Sequence, residues 1–248
     1  MIEITINGKA CTCEKGEFLL EVARRNGFYI PTLCHHPGVA EQGCCRVCLV
    51  EVVENKRSKI VVSCIYPVEQ PCEVYTDSAR VREDRGAVLM LLAARAPEST
   101  EIKALCKQYG AMDGSRFAPI EGEKCIMCGL CARACASLGT GAISTVMRGT
   151  SKKISTPYDE PSSACIGCLS CAKICPTRAI DFAEDEKKRS IWGREFELIR
   201  CKECGAPIGT KEEIEYAAMR CGEETTYLCP DCRKKKMADV MAHAYGVE

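Results

Sequence analysis

Two short cysteine runs constrain this chain more than any other feature: CIMCGLCARAC at residues 125–135 and CIGCLSCAKIC at 165–175. Both read C-x2-C-x2-C-x3-C, and the offset from Cys125 to Cys165 equals that from Cys135 to Cys175, the mark of a duplicated half. In such a run three thiolates close round one face of a cubane. The fourth cysteine lies too far along the following helix and reaches the other site. The spacing therefore predicts two [4Fe–4S] clusters, one held by Cys125, Cys128, Cys131 and Cys175, the other by Cys165, Cys168, Cys171 and Cys135. Separate structural zinc sites would need four cysteines each, and the tandem spacing argues against them. Small residues in the runs (Gly129, Ala132, Gly167, Ser170, Ala172) let the backbone approach the sulfides. Pro176 follows the second run, but Ala136 occupies the matching place after the first. The turn there is expected to differ while the ligation does not.

Cysteine use as a whole agrees. Twenty-two of 248 residues are cysteine, a level met in short secreted disulfide scaffolds. Here, however, the cysteines fall in C-x-x-C pairs that suit metal or cluster ligation. The N-terminus MIEITINGKACTC has an acid at position 3 and no apolar stretch of the kind that directs secretion. The longest apolar run, AVLMLLAA at 87–94, is too short to span a bilayer. A reduced, cytoplasmic protein is the expectation. Basic and acidic residues balance at 34 each, so no nucleic-acid or anionic-membrane footprint is visible. There is no G-x-G-x-x-G, no P-loop and no His–Glu or Cys–His catalytic arrangement. The chain has one-electron centres and no visible site for two-electron chemistry. Conduction is the role this predicts, with no catalytic residue.

Upstream, Cys34, Cys45, Cys48 and Cys64 give C-x10-C-x2-C-x15-C. A [2Fe–2S] cluster takes two thiolates on each iron, commonly from a close C-x2-C pair with one ligand earlier and one later. Only Cys45 forms C-x2-C with Cys48, and the adjacent Cys44 is read as a bystander. Residues 1–78 also alternate as strands (IEITI, KACTC, LVEVVE, KIVVSC, CEVYT) around one helical stretch, GEFLLEVARRNG. Residues 79–114 read as a helical connector of two helices separated at Pro97 and closed by Gly110. The duplicated runs occupy 115–190. Residues 195–248 carry Cys201-x2-Cys204 and Cys229-x2-Cys232 and end in a short helix. This last set fits zinc in a ribbon-like module or a further Fe–S cluster, and Cys221 between the pairs could replace a ligand. Cys11, Cys13, Cys72, Cys106 and Cys221, with Cys44, are left as small buried hydrophobes. His35 and His36, beside Cys34, are expected near the ligands and not among them.

The stretch PTLCHHPGVAEQGCCRVCLVEV, followed by CIMCGLCARAC, GAISTVMRGTSKKISTPYDEPSSACIGC and CAKICPTRAI, resembles the start of the large iron–sulfur subunit of respiratory NADH dehydrogenase. It is similar also to the iron–sulfur and diaphorase subunits of NAD(P)-linked, in some cases electron-bifurcating, hydrogenases. The resemblance covers roughly residues 1–185. It implies an α+β chain: a β-grasp [2Fe–2S] ferredoxin domain, a helical connector and a two-[4Fe–4S] ferredoxin domain, with the four-cysteine ribbon-like module beyond. Many members hold another [4Fe–4S] cluster in the connector through one histidine and three cysteines. Here the connector has Cys106 alone, and the chain's three histidines are His35, His36 and His243. That cluster is expected to be absent, which turns the reading from respiratory complex I toward a hydrogenase or formate dehydrogenase assembly. The implied partners are a flavin- and NAD(P)-binding diaphorase-type subunit, a hydrogenase or formate dehydrogenase catalytic subunit, and in a bifurcating assembly ferredoxin. A free ferredoxin-like carrier is the competing role, and a cluster-based regulator of nucleic acid is a weaker one.

Overall fold

The structure, a computed structural model, describes residues 1–111 and 117–246. The expected junction at 114/115 lies outside the described residues. Alternation in the first strands sets the first core. In β1 (Ile2–Ile6) and β2 (Lys9–Cys13) every second side chain faces inward, which buries Ile4, Ile6, Cys11 and Cys13. Helix α1 (Leu19–Arg25) lays Leu19, Leu20, Val22 and Ala23 over the same face. Strands β3 (Leu49–Glu54), β4 (Arg57–Val62) and β5 (Glu73–Tyr75) complete a five-stranded sheet of order β2-β1-β5-β3-β4. The central β1–β5 pair is parallel and the others antiparallel. A mixed sheet crossed by one helix is the β-grasp arrangement. Cys11, Cys13 and Cys72 pack into its core as small hydrophobes.

Two helices follow. The Ser78 hydroxyl accepts from the Val81 N–H and caps α2 (Ala79–Arg95). Ser99 caps α3 (Thr100–Tyr109) in the same way, and Gly110 ends it at φ +64°. The anchor of α2 is a buried arginine. Arg85 is 1% exposed and donates to the carbonyls of Val47, Leu49 and Thr76 at 3.1, 2.7 and 3.1 Å. Its guanidinium lies 4.7 Å from the Tyr109 ring centre on α3 and 3.6 Å from Asp77. One side chain thus ties the sheet, α2 and α3 together. Burial lowers its pKa from an arginine's usual value, with Tyr109 and Asp77 opposing.

The remaining chain forms α4 (Leu130–Leu138), the small hairpin β6 (Ser144–Val146) and β7 (Lys153–Ser155), and α5 (Ser170–Lys173). Next come β8 (Phe182–Glu184), β9 (Lys188–Ile191), β10 (Arg194–Arg200) and β11 (Pro207–Thr210), an antiparallel sheet of order β11-β10-β9-β8. This sheet runs across the interval between 190 and 195 that separates the last two expected units. Helices α6 (Lys211–Cys221) and α7 (Pro230–Tyr245) finish the described chain. The terminal helix is longer than expected because Pro230 begins it and the Cys229 sulfur caps it by accepting from Cys232 N–H. No helix among the described residues is long and apolar enough to cross a membrane.

Replacing Arg85 by methionine strips three buried carbonyls of their donor. The expected cost is about 3–5 kcal/mol, read as a lower denaturant midpoint. A loss below about 1 kcal/mol would mean that solvent satisfies those carbonyls after all.

Candidate metal centres

The first set lies in the loop between α1 and β3 and just after β4. Cys34, Cys45, Cys48 and Cys64 are all buried. They form two pairs. The Cys45 N–H donates to Cys34 Sγ at 3.4 Å, and Cys44 and Cys45 gather hydrogen-bond donors, backbone N–H among them, round that sulfur, which holds the Cys34 thiol down at about 2. Cys64 does the same for Cys48, whose thiol falls to about 7, while Cys64 itself is pushed up. Four buried sulfurs gathered in this way suit a cluster that takes two thiolates per iron, each thiol giving up its proton on ligation. The loop turns through Gly43 at φ +61° and Arg46 at φ +59°. A Cβ on Gly43 would lie 2.7 Å from Ile65 Cδ1, so that position admits glycine alone. Cys44 is exposed as a residue, and its thiol donates to the Cys128 carbonyl at 2.9 Å. His35 faces carboxylates, with Nδ1 2.6 Å from Glu41 and Nε2 3.3 Å from Glu21.

The duplicated runs share one backbone design. Each loop places two residues in the left-handed region, Met127 and Gly129 in the first, Gly167 and Leu169 in the second. The glycine has changed place between the copies. These turns aim N–H groups at sulfur: Met127 N–H donates to Cys125 at 3.4 Å, and the N–H groups of Leu130 and Gly167 bond Cys128 and Cys165. Cys125, Cys128, Cys131 and Cys175 line one recess, and Cys135, Cys165, Cys168 and Cys171 line another. Each fourth cysteine thus lies in the recess of the other run. Burial raises the thiols of Cys128, Cys131 and Cys171 to about 11, 12 and 11. Free thiols there would stay protonated, and metal must displace the protons. Buried sulfurs with inward N–H donors fit cubane ligation.

Ala136 has a visible effect. Pro176 stops α5 after four residues, whereas α4 runs on past Cys135 to Leu138, nine residues in all. Cys175 accepts from Ala179 N–H at 3.3 Å, four residues on, but Cys135 accepts from Ala142 N–H at 3.2 Å, seven residues on. The extra turn gives Tyr216 of α6 a seat, its hydroxyl donating to the Leu138 carbonyl at 2.7 Å.

At the C-terminal site the sulfurs of Cys201, Cys204, Cys229 and Cys232 lie within 4.8 Å of one another, and no other such group of ligand atoms occurs among the described residues. A tetrahedron with ~2.3 Å metal–sulfur bonds has an edge of ~3.8 Å, and Cys204 Sγ lies 3.6 Å from Cys229 Sγ. Backbone N–H groups of Cys229 and Cys204 bond the Cys201 sulfur and lower its thiol to about 6. Hydrogen bonding to the sulfurs of Cys204 and Cys229 holds the proton on Cys232 and raises its thiol to about 12. This compactness fits a single ion. Cys221 stands apart, exposed at the end of α6.

Sequence reasoning passed over the arginine donors that hold these loops. Arg133 donates to the carbonyls of Cys34 and Cys128 at 2.8 and 3.5 Å, and also to Ala40. Arg95 reaches Cys125 at 3.3 Å, Arg189 reaches Gly167 at 2.7 Å, and Arg194 reaches Cys165 at 2.6 Å. The pattern signal was faint, because each arginine is distant in sequence from most of what it bonds.

Residues 1–79 match the 2Fe-2S iron-sulfur cluster binding domain and residues 118–182 the 4Fe-4S dicluster domain. Fold and sites thus define an iron–sulfur electron-transfer protein with two ferredoxin-type domains. Within that class the chain is homologous to subunits of NAD(P)-linked hydrogenases and of NADH dehydrogenases. It is 30% identical over 215 residues to the NADP-reducing hydrogenase subunit HndD of Solidesulfovibrio fructosivorans, covering 73% of this chain and 36% of that one. It is 29% identical over 134 residues to the mitochondrial NADH-ubiquinone oxidoreductase 78 kDa subunit of Candida albicans, covering 50% and 18%. Over 201 residues it is 29% identical to the alpha subunit of the NADPH-Fe(3+) oxidoreductase of Geobacter sulfurreducens, covering 71% and 24%. The chain spans about a third or less of the length of these relatives. A crystal structure of NAD+-reducing [NiFe]-hydrogenase in the H2-reduced state superposes with a TM-score of 0.61 at 26% identity, covering 72% of this chain and 86% of that one.

Two substitutions test the first loop. Cys45→Ser should disturb the [2Fe–2S] EPR signal of the reduced protein, and Cys44→Ala should leave it intact. The reverse result would refute the ligand register.

Proposed function

We propose that this chain is the iron–sulfur subunit that relays single electrons between a flavin- and NAD(P)-binding diaphorase-type subunit and a hydrogenase. Cys34, Cys45, Cys48 and Cys64 hold a [2Fe–2S] cluster. Cys125, Cys128, Cys131 and Cys175 hold one [4Fe–4S], and Cys135, Cys165, Cys168 and Cys171 hold a second. When bound, these clusters supply one-electron redox chemistry whose potentials follow cluster type, hydrogen bonding and burial. Everything else is the chain's own work: it fixes the sulfurs, aims N–H groups at them and keeps water from the loops.

One observation carries the reading. The loop bearing Cys34 and the loop bearing Cys128 share a single buried cluster with Leu33, Val47, Ile126 and Leu130. Arg133 bonds the carbonyls of both cysteines, and the Cys44 thiol bonds Cys128 directly. The first two sites are therefore neighbours through protein contact, which an internal relay requires and which leaves the connector's missing histidine-and-cysteine set without a role. The C-terminal four cysteines hold one zinc ion. Their mutual distance suits one tetrahedral ion, whereas a cubane spreads its four thiolates over four irons.

Anaerobic purification of the native assembly tests this. The expected chain carries about ten irons and one zinc, shows a [2Fe–2S] EPR signal on reduction, and travels with a flavoprotein and a hydrogenase. About fourteen irons would replace the zinc by a third cubane. A formate dehydrogenase partner, or a monomer active with soluble reductases, would overturn the hydrogenase assignment.

A further inference from the structure

The chain's only tryptophan sits where few tryptophans are found. Strands β9 and β10 are joined by two residues, Trp192 and Gly193, with φ +54° and +72°. A hairpin loop with both residues in the left-handed region is the type I′ kind, which favours asparagine, aspartate or glycine at its first place. A bulky side chain there is strained, and such outliers persist where the surroundings hold them for a purpose. The surroundings are specific. Arg194, one residue beyond the turn, donates to the carbonyls of Ser162, Ser163 and Cys165 at 2.9, 3.0 and 2.6 Å, and its guanidinium lies 4.7 Å from the Phe196 ring centre. Pro161 closes on Gly193, 3.2 Å from where a Cβ would stand. The turn is thereby pinned to the stretch that leads into the second cysteine loop.

The side chain so presented meets sulfur. Trp192 Nε1–H donates to Cys171 Sγ at 3.4 Å. The equivalent sulfur of the first loop, Cys131, takes its bond from the backbone N–H of Ala132. The indole also lines both recesses, the one with Cys125, Cys128, Cys131 and Cys175 and the one with Cys135, Cys165, Cys168 and Cys171. It stands between the two halves of the repeat and belongs to neither, lying beyond the matched dicluster domain at 118–182.

We propose that Trp192 is a positioning residue for the second [4Fe–4S] site: its indole N–H bonds the Cys171 thiolate and sets that cluster's reduction potential above the value the repeat alone would give. The proposal rests on the ligand assignment made above. A hydrogen bond to a ligand sulfur withdraws negative charge, and so favours the reduced, more negative state of the cluster. Phenylalanine keeps the ring and removes the donor.

The full chain with reconstituted clusters, or the native assembly, provides the test. With 15N-indole tryptophan as the single label, pulsed EPR of the reduced wild type should show 15N coupling to a [4Fe–4S] spin. In Trp192→Phe, EPR-monitored redox titration should move one of the two cubanes to more negative potential and leave the other. The expected change is up to about tenfold in the reduced-to-oxidised ratio, equal to about 59 mV for one electron. Absence of 15N coupling, or unmoved potentials in a fully loaded Trp192→Phe, would overturn the proposal. If the variant loses its clusters, the labelled wild type decides. Fewer than two [4Fe–4S] clusters in the wild type, by iron content and spin count, would instead overturn the ligand assignment.

Discussion

A loop that points its N–H groups at sulfur must point its carbonyls somewhere else. That constraint organises most of this molecule. Backbone carbonyls buried without a donor are costly, and the cysteine loops turn theirs outward toward the neighbouring elements. Arginine answers the need because its planar fork offers five donors and no acceptor. Arg133 and Arg95 bond the first [4Fe–4S] loop, Arg189 and Arg194 the second, and Arg133 also bonds Cys34 in the first domain. Arg85 applies the same solution to Val47 and Leu49, flanking Cys48. The equal numbers of acidic and basic residues conceal this division of labour. Several cations are spent inside the structure as donors to backbone oxygen.

Much of the site could be read from spacing because cluster ligation is local. Three of four sulfurs in each run arrive within seven residues, as the runs 125–131 and 165–171 show, and their geometry follows from the turns between them. The expectation that Cys135 and Cys175 cross rests on the reach of a helix, and each lines the recess of the other run. Pro97 and Gly110 marked the ends of α2 and α3 for the same reason, since a helix stop acts on its own neighbouring turn. The consequence of Ala136 was legible only in kind. Alanine permits the helix to continue, but how far it continues depends on Gly139 and on Tyr216, which lies on another element.

What spacing could not reveal was contact made by folding. Trp192 is unremarkable in IWGREF until the hairpin delivers it to Cys171. Arg133 looks like a surface residue in the helix CARAC and instead spans two domains. The sheet β8–β11 follows the same logic. Thr210 donates to the Ile166 carbonyl at 2.5 Å, and a Cβ on Gly167 would meet Phe196 at 2.8 Å and Thr210 at 2.9 Å. Cys201 and Cys204 follow directly on β10, and Cys229 and Cys232 open α7, so the ion they suit lies against the element that backs the second loop.

The two copies of the repeat therefore match in backbone and differ in company. One is enclosed by the first domain and the connector, the other by the C-terminal sheet. A duplicated pair in isolation would be forced to vary together, because any change to the shared design is felt in both. Here each copy has its own set of donors, and all but Arg133, which lies within the first run, come from parts of the chain that are not duplicated. Selection can thus adjust one half of the repeat through residues that leave the other half untouched, and the ancestral symmetry no longer binds the two sites to a common value.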